Sequence, residues 1–296
     1  MFFHELLKGF DLKTVLLLRH RPHEPEINEV LPWLAVQKPN VFNAYQQTQS
    51  ERVEAAMIKL SGKGYIASFI GQKAKKATFA GLYRIGGMKE LQFDDWWKIP
   101  EHDELRNYGQ EGMTLDGKRK KVIWFDLQLD ESFYAHWRGK LIIEWLPPER
   151  SWCRRAHKKH YPIHAILDES TFDPPKAQWD EIDYSWKQLE VLPHRIRKQL
   201  SDWRGIYYIF DTNRNKGYVG AAYGDGEDGN IYGRWMNYAA SGHGGNVKLR
   251  KCDPNNFRFS ILQIMAHNAD KFEVEETERK WKVRLHTRGE GGLNDN

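Results

Sequence analysis

The stretch Trp203-Arg204-Gly205-Ile206-Tyr207-Tyr208-Ile209-Phe210 is followed, after a polar segment, by Tyr218-Val219-Gly220. The intervening residues 211–217 are mostly of types that favour turns. Two apolar runs joined by such a turn predict a β-hairpin. Each strand carries a tyrosine, Tyr207 or Tyr218, and the hairpin would bring the two close together.

Further motifs follow the hairpin in order. Arg234 begins a predicted helix, and Tyr238 lies one turn beyond it, so both side chains share one face of that helix. A glycine-rich loop with His243, a predicted strand over 257–262 and a charged helix with Glu278 come next. Asn294 follows in a Gly-Leu-Asn triplet.

These motifs, with ten residues between Tyr207 and Tyr218, resemble those of the GIY-YIG nuclease family over about the last ninety residues. The resemblance implies an α+β domain over 204–296, with a small antiparallel sheet flanked by helices. It also implies an endonuclease that hydrolyses phosphodiester bonds in DNA. Mg²⁺ is the implied cofactor, and Mn²⁺ could replace it.

The resemblance implies a role for each matching side chain. Tyr207 matches the tyrosine that acts as general base, directly or by orienting water, and Tyr218 supports it by hydrogen bonding. Arg234 would bind phosphate oxygens bidentately, which lysine does less well. Glu278 would be the metal ligand, because a hard oxygen ligand with open water positions suits Mg²⁺. The remaining predicted site residues are Tyr238, His243 and Asn294.

Some of these assignments have alternatives. Glu278 lies among other acids, so a solvated helix carboxylate is the alternative to a ligand. His243 matches no fixed motif position and could be a plain loop histidine. Ala221 stands where some relatives carry a lysine, so base activation by that lysine is not expected here. An unperturbed tyrosine has a pKa of about 10, so a base role for Tyr207 demands an altered environment.

The part before the hairpin has a different pattern. Alternating and apolar runs predict strands over 65–70, 78–85, 121–127 and 140–145. A partly open barrel of the PUA-like or SRA-like type would fit this order. We therefore predict a β-rich DNA-recognition domain over 1–165 and a connector over 166–203, ahead of the nuclease domain.

Length and composition fit this division. The chain has 296 residues and a net charge of +5, which permits nucleic-acid binding without demanding it. No stretch approaches the roughly 20 apolar residues of a membrane span, and no secretion signal is visible. Two cysteines cannot form a disulfide framework. The sequence thus predicts a cytoplasmic protein without a membrane partner.

Basic clusters occur in the N-terminal part, and each could instead be a solvated loop. We predict that they contact DNA phosphates, and the residues are Lys118, Arg119, Lys120, Lys121, Arg154, Arg155, Lys158 and Lys159. Large aromatic residues lie nearby, including Trp96, Trp97 and Trp137. Most are expected to pack in the core, but some could sandwich an extruded base.

The function that this sequence predicts is a Mg²⁺-dependent DNA endonuclease, in a bacterial restriction or phage-defence setting, that recognises a short sequence or a modified base. Its partner would be double-stranded DNA, bound by a monomer or by a homodimer. The alternatives are a homing or repair nuclease of the same chemistry and a catalytically silent DNA-binding protein. Retention of Tyr207, Tyr218, Arg234 and Glu278 together argues against the silent alternative.

Overall fold

The computed structural model describes residues 1–71, 73–110, 119–174, 176–224, 226 and 229–295. The chain divides into two compact units, Met1–Asp173 and Pro174–Asn296. Each unit combines a sheet with helices, which confirms the predicted α+β class. Within the described ranges, no helix has both the length and the apolar character needed to cross a bilayer.

The first unit contains helices and strands in an irregular order. Its helices are α1 (Phe3–Leu6), α2 (Pro25–Gln37), α3 (Pro39–Gln47), α4 (Glu51–Ile58), α5 (Phe93–Trp96) and α6 (Pro100–Asn107). Its strands are β1 (Val15–His20), β2 (Gly64–Ile70), β3 (Lys76–Gln92), β4 (Lys121–Leu129), β5 (Leu141–Glu144), β6 (Cys153–Arg155) and β7 (Ile163–Ile166). Strands β2 to β5 correspond to the four predicted from the alternating and apolar runs.

These strands form one sheet in the order β6-β1-β2-β3-β5-β7, with β4 paired to β3. Strands β1 and β2 are parallel, whereas the other neighbours are antiparallel. A core that includes Phe69, Phe79 and Trp145 packs against one side of the sheet. In the described part of the chain, the end strands β6 and β7 do not pair with each other. The likeness to PUA-like or SRA-like barrels therefore stays a prediction.

The second unit is built around the predicted hairpin. Its strands are β8 (Asp183–Ser185), β9 (Arg204–Asp211), β10 (Lys216–Ala222) and β11 (Phe257–Met265), in the antiparallel order β10-β9-β11-β8. Its helices are α7 (Trp186–Glu190), α8 (His194–Asp202), α9 (Ile231–Ser241) and α10 (Lys271–Arg284).

The alternation of side chains along β9 gives this sheet two buried faces. Ile206 on one face joins Val219 and Ala221 of β10 and Val274 of α10 in a small apolar cluster. The other face is covered by α9, where the Trp235 ring lies 5.6 Å from that of Phe259 on β11. The hairpin is thus held between two helices, and side chains from both can reach it.

The structure divides the chain at a different place from the boundaries expected at residues 165 and 203. Strand β7 ends at Ile166 and belongs to the first sheet, whereas β8 pairs with β11 of the second sheet. Much of the expected connector is therefore part of the C-terminal unit. The strand at this edge, Asp183–Ser185, has only three residues. A strand this short gives no recognisable pattern in the sequence.

Candidate active site

The register of the hairpin explains its glycine and tyrosine positions. Tyr207 on β9 lies opposite Gly220 on β10, and Tyr218 lies opposite Ile209. Paired residues point to the same face, so Tyr207 and Tyr218 share one face as diagonal neighbours. A Cβ atom on Gly220 would lie 2.5 Å from Cζ of Tyr207. Glycine at this position leaves the space in which the Tyr207 ring lies.

Three tyrosines meet on this face of the sheet. The hydroxyls of Tyr207 and Tyr238 are 3.0 Å apart and hydrogen-bonded. The ring of Tyr238 on α9 also lies 6.1 Å from the ring of Tyr218, and the two phenols interact electrostatically. Tyr238 therefore contacts two tyrosines from different strands, and the three residues form one tyrosine group.

Burial and the neighbouring phenols keep these tyrosines protonated. Burial raises the pKa of Tyr207, and the nearby Tyr218 raises it further. Burial is also the main cause of the raised pKa of Tyr218 and of Tyr238. At neutral pH all three phenols therefore carry their protons and can donate hydrogen bonds. A base role for Tyr207 requires substrate or a cation to change this balance, whereas orienting a water molecule does not.

Helix α9 positions Arg234 beside this group. The helix begins after Asn230, whose side-chain oxygen accepts a hydrogen bond from the Gly233 backbone nitrogen at 2.8 Å, and the buried Trp235 anchors the helix. The positive charge of Arg234 acts on Tyr207, Tyr218 and Tyr238 and opposes the rise in their pKa. Its buried Nε has no hydrogen-bond partner among the described residues. A phosphate oxygen would satisfy this donor.

Helix α10 contributes Glu278. Its carboxylate pairs with Lys282, one turn later, at 3.2 Å, and the Glu278 side chain is 18% exposed. The negative charge of Glu278 raises the pKa of both Tyr207 and Tyr218. The charges of Arg234 on α9 and Glu278 on α10 thus both act on the tyrosines of the hairpin.

The chemistry of Glu278 fits a magnesium site with few protein ligands. The described residues contain no group of three or more His, Cys, Asp and Glu side chains that could enclose a metal ion. Mg²⁺ commonly keeps several waters and binds proteins through one or two carboxylates together with substrate phosphates. A partly exposed glutamate whose charge acts on the same tyrosines as that of Arg234 suits that mode. The ammonium group of Lys282 pairs with the Glu278 carboxylate and balances its negative charge.

Asn294 is buried and supports the hairpin from outside the sheet. Its side-chain oxygen accepts a hydrogen bond from the Val219 nitrogen at 2.9 Å, and its amide nitrogen donates to the Val219 carbonyl at 2.8 Å. Strand β10 is an edge strand, so these bonds replace those of a further strand. Because Val219 follows Tyr218, Asn294 fixes the backbone beside the tyrosine group.

His243 has a local role in the loop after α9. Its Nδ1 accepts a hydrogen bond from the Gly245 nitrogen at 2.9 Å, which stabilises a turn. The loop does approach the site, since a Cβ atom on Gly244 would lie 2.6 Å from the Tyr238 ring. The contacts of His243 itself favour the plain loop histidine over a catalytic side chain.

Tyr223 is a residue near the site that sequence reasoning missed. Its hydroxyl donates a hydrogen bond to Glu275 at 3.1 Å, and the charges of Glu278 and Arg234 act on its phenol. The sequence carried a signal, because Tyr223 directly follows β10. Glu275 lies three residues before Glu278, a spacing that places both on one side of a helix.

The predicted DNA contacts of the 118–121 cluster have different surroundings. Lys118 lies outside the described residues. Arg119 pairs with Glu54 and donates to the carbonyls of Gln49 and Lys121, both at 2.9 Å, so its guanidinium is committed to internal contacts. Lys121 pairs with Glu90 at 2.7 Å on the surface, and Lys120 is exposed. Arg119 therefore has a structural role, and not the predicted role of a phosphate contact.

The second basic cluster is divided in the same way. Arg154 donates to the carbonyls of Leu146 at 2.5 Å and Pro148 at 2.7 Å, and it lies over the Trp145 ring. Arg154 thus stabilises the loop around Leu146 and Pro148, and does not have the predicted role of a DNA phosphate contact. Among the others, Lys158 and Lys159 are exposed, and Arg155 lines a surface cleft.

The tryptophans singled out for base stacking are mostly packed. Trp96 is only 1% exposed, which excludes a base from its ring faces. The ring of Trp97 lies under Arg106 at 3.7 Å, and that of Trp137 stacks on Tyr134 at 4.5 Å. Sequence could not separate these cases, because large aromatic residues are prominent both in cores and at interfaces.

Comparison with known proteins adds one similarity. No protein-family model and no curated protein matches the chain. Among solved structures, the chain is similar to the catalytic domain of the homing endonuclease I-TevI, with 30% identity over 31% of this chain and 98% of that domain, at a TM-score of 0.26.

Proposed function

We propose that the C-terminal unit is a Mg²⁺-dependent endonuclease of the GIY-YIG type that hydrolyses phosphodiester bonds in DNA. The observation that supports this most is the convergence of Tyr207, Tyr218 and Tyr238 with the charges of Arg234 and Glu278. Phosphodiester hydrolysis needs an oriented water, a cation for the phosphate charge and help for the leaving oxygen. Each need has a candidate among these residues.

Arg234 would bind the scissile phosphate. Its Nε lacks a partner among the described residues, and a guanidinium matches two phosphate oxygens at once. The bound phosphate would lie beside the tyrosine group, because the Arg234 charge already acts on all three phenols. Developing negative charge on the phosphate would therefore be stabilised by a donor that is positioned in advance.

The tyrosines would orient the attacking water. Tyr207 and Tyr218 are protonated and share a face of the sheet, and the Tyr238 ring lies 6.1 Å from each of their rings. Glu278 would hold Mg²⁺, which when bound polarises the phosphate and eases departure of the leaving oxygen. Lys282 would release the carboxylate to the cation and remain close to it as a positive charge.

The setting that we favour is bacterial restriction or phage defence, with the N-terminal unit recognising a short sequence or a modified base. A defence nuclease must distinguish foreign DNA, which requires a recognition unit beside the catalytic one. A homing or repair nuclease, or a silent DNA-binding protein, is the alternative. Binding as a homodimer is compatible with this proposal and is tested by the size of the DNA complex.

The deciding experiment is digestion of plasmid DNA by the full chain with Mg²⁺, with Mn²⁺ and with EDTA. The substrates are unmodified, cytosine-methylated, hydroxymethylated and glucosylated DNA of one sequence, and the fragment ends are mapped. We expect metal-dependent cutting at fixed ends on at least one substrate. Random ends at equal rates on all four would exclude recognition by sequence or modification. If no substrate is cut with either metal, the proposed nuclease activity is wrong and the alternative of a silent DNA-binding protein is favoured.

A further inference from the structure

The first unit contains a cavity at the carboxyl end of β1 that the nuclease chemistry does not use. Its volume is about 590 Å³, within the range of about 300–1,000 Å³ that is typical of ligand pockets. Its lining includes Arg19 and Arg21 at the end of β1, Tyr45 and Gln49 around the end of α3, and Trp152. We call it the Trp152 cavity.

Trp152 is the aromatic residue of this unit best placed to stack on a planar ligand. It is 51% exposed, in contrast to the buried Trp96, and it lines the cavity. The backbone carbonyl of Trp152 accepts a hydrogen bond from the backbone nitrogen of Arg19 at 2.8 Å, which fixes this backbone beside β1. An exposed indole held on an ordered backbone offers a flat apolar surface at low entropic cost.

The interior of the cavity carries polar groups that can bind the edge of a base. Arg19 is 3% exposed, and its guanidinium is held in the cavity wall by the Lys73 carbonyl at 3.0 Å and by Glu149 at 3.8 Å. Gln49 and Gln110 also line the cavity, and the side-chain oxygen of Gln110 is buried without a described partner. Side-chain amides such as these can pair with base edges.

A second opening lies beside the cavity and is basic. This cleft of about 350 Å³ is lined by Arg52, Lys59 and Arg155, and none of its described lining residues is acidic. Ser50 lines the cavity, and Arg52, two residues later, lines the cleft. The two openings therefore adjoin, as an aromatic cavity and a cationic cleft.

We propose that the Trp152 cavity receives a single base extruded from DNA and stacks it on Trp152, while Arg52, Lys59 and Arg155 bind the flanking phosphates. This inference rests on the proposed function for the identity of the polymer as DNA. Extrusion of a base requires a pocket with an aromatic wall and polar groups for the base edge, next to a phosphate-binding surface. Trp152 thus takes the base-binding role that the sequence predicted for Trp96, Trp97 and Trp137.

The test is DNA binding by the full chain in EDTA, which prevents cleavage. Two labelled duplexes of one sequence are compared, one fully paired and one with 2-aminopurine at a central mismatch. A mismatched base costs less to extrude, so we expect tighter binding of the mismatched duplex together with a change in 2-aminopurine fluorescence. Trp152→Ala should lower affinity for that duplex about tenfold and remove the fluorescence change. Trp179→Ala, which alters a 37%-exposed tryptophan of the other unit, should do neither.

The cleft is tested separately from the cavity. Lys59→Ala should weaken binding to both duplexes alike and make the salt dependence of binding shallower by about one counterion. Lys8→Ala, at an exposed lysine outside the cleft, should change neither quantity. Retention of the mismatch preference by Trp152→Ala would overturn the inference. So would saturation of the cavity by a free mononucleotide with the same dependence on Trp152. Because no metal is present, neither outcome depends on whether the protein cuts DNA.

Discussion

The hydroxyls of Tyr207 and Tyr238 are hydrogen-bonded at 3.0 Å, although one residue lies on a strand and the other on a helix 31 positions later. This bond joins α9 to the hairpin one turn beyond Arg234. The position of the guanidinium is therefore coupled to that of the tyrosines. Substitutions that move either tyrosine should impair phosphate binding and water orientation together.

Glu278→Gln should abolish cleavage and leave DNA affinity nearly unchanged. The amide keeps the shape of the side chain but is a poor ligand for Mg²⁺, whereas affinity comes mainly from phosphate contacts elsewhere. Gel-shift and cleavage assays on the same preparation measure both. Glu276→Gln on the same helix is the matched control, because Glu276 pairs with Lys280 on the surface. Substantial Mg²⁺-dependent cutting by Glu278→Gln would remove Glu278 from the site.

Arg234→Lys should reduce the cleavage rate by about 10²-fold or more, since a point charge replaces a two-pronged donor. Single-turnover rates at saturating protein isolate the chemical step from binding. Arg250→Lys makes the same change at an exposed position and should cut at the normal rate. If both variants cut alike, Arg234 does not bind the scissile phosphate.

Gly220→Ala tests the close packing of the hairpin. The added methyl would lie 2.5 Å from Cζ of the buried Tyr207, so the ring must move. We expect a loss of about 1–3 kcal/mol in the free energy of unfolding and a large loss of cleavage. Gly291→Ala is the control, because its nearest neighbour is a carbonyl oxygen at an ordinary 3.4 Å. Normal stability and activity of Gly220→Ala would contradict the tyrosine position.

The hairpin and its site could be predicted because their determinants are local. Turn residues between two apolar runs fix the hairpin, and its register then places Tyr207 and Tyr218 on one face. Helix spacing similarly relates Arg234 to Tyr238. The resemblance to a family supplied what local pattern could not, namely that Glu278 would lie near residues some seventy positions earlier.

The features that escaped prediction depend on distant partners. Arg119 and Glu54 are 65 positions apart, so the charge run around Arg119 gave no sign that its guanidinium is paired. The Trp152 cavity opens at the carboxyl end of β1, and the position of that end depends on the parallel pairing of β1 with β2. An apolar run predicts that a strand is buried but does not identify its neighbours, so this cavity was not expected.

Asn294→Ala should destabilise the C-terminal unit. It leaves the Val219 nitrogen and carbonyl without their side-chain partners, at a cost of about 1–3 kcal/mol for each buried group. Urea unfolding followed by circular dichroism gives the free energy of unfolding. The exposed Asn255→Ala is the control. A change below about 0.5 kcal/mol would mean that water replaces Asn294 at the strand edge.

His102 should make the stability of the first unit depend on pH. The side chain is fully buried, and burial lowers the pKa of His102 to about 4, compared with about 6.5 for an unperturbed histidine. Between these values the unfolded chain binds a proton that the folded chain does not. The free energy of unfolding should therefore fall as the pH drops from 6.5 to 4, by on the order of 3 kcal/mol, with no contribution from this group above that window.

Burial likewise lowers the pKa of His20 to about 4, so both histidines contribute to the same slope and one substitution should remove about half of it. His102→Gln also loses packing against Trp96, whose ring centroid is 4.7 Å away, but that loss is the same at every pH. The slope of unfolding free energy against pH is therefore the quantity to compare, measured by urea titration with tryptophan fluorescence. His23→Gln, at a side chain 80% exposed, should keep the full slope. Equal slopes in the parent protein and His102→Gln would show that His102 titrates alike in the folded and unfolded chains, contrary to its burial.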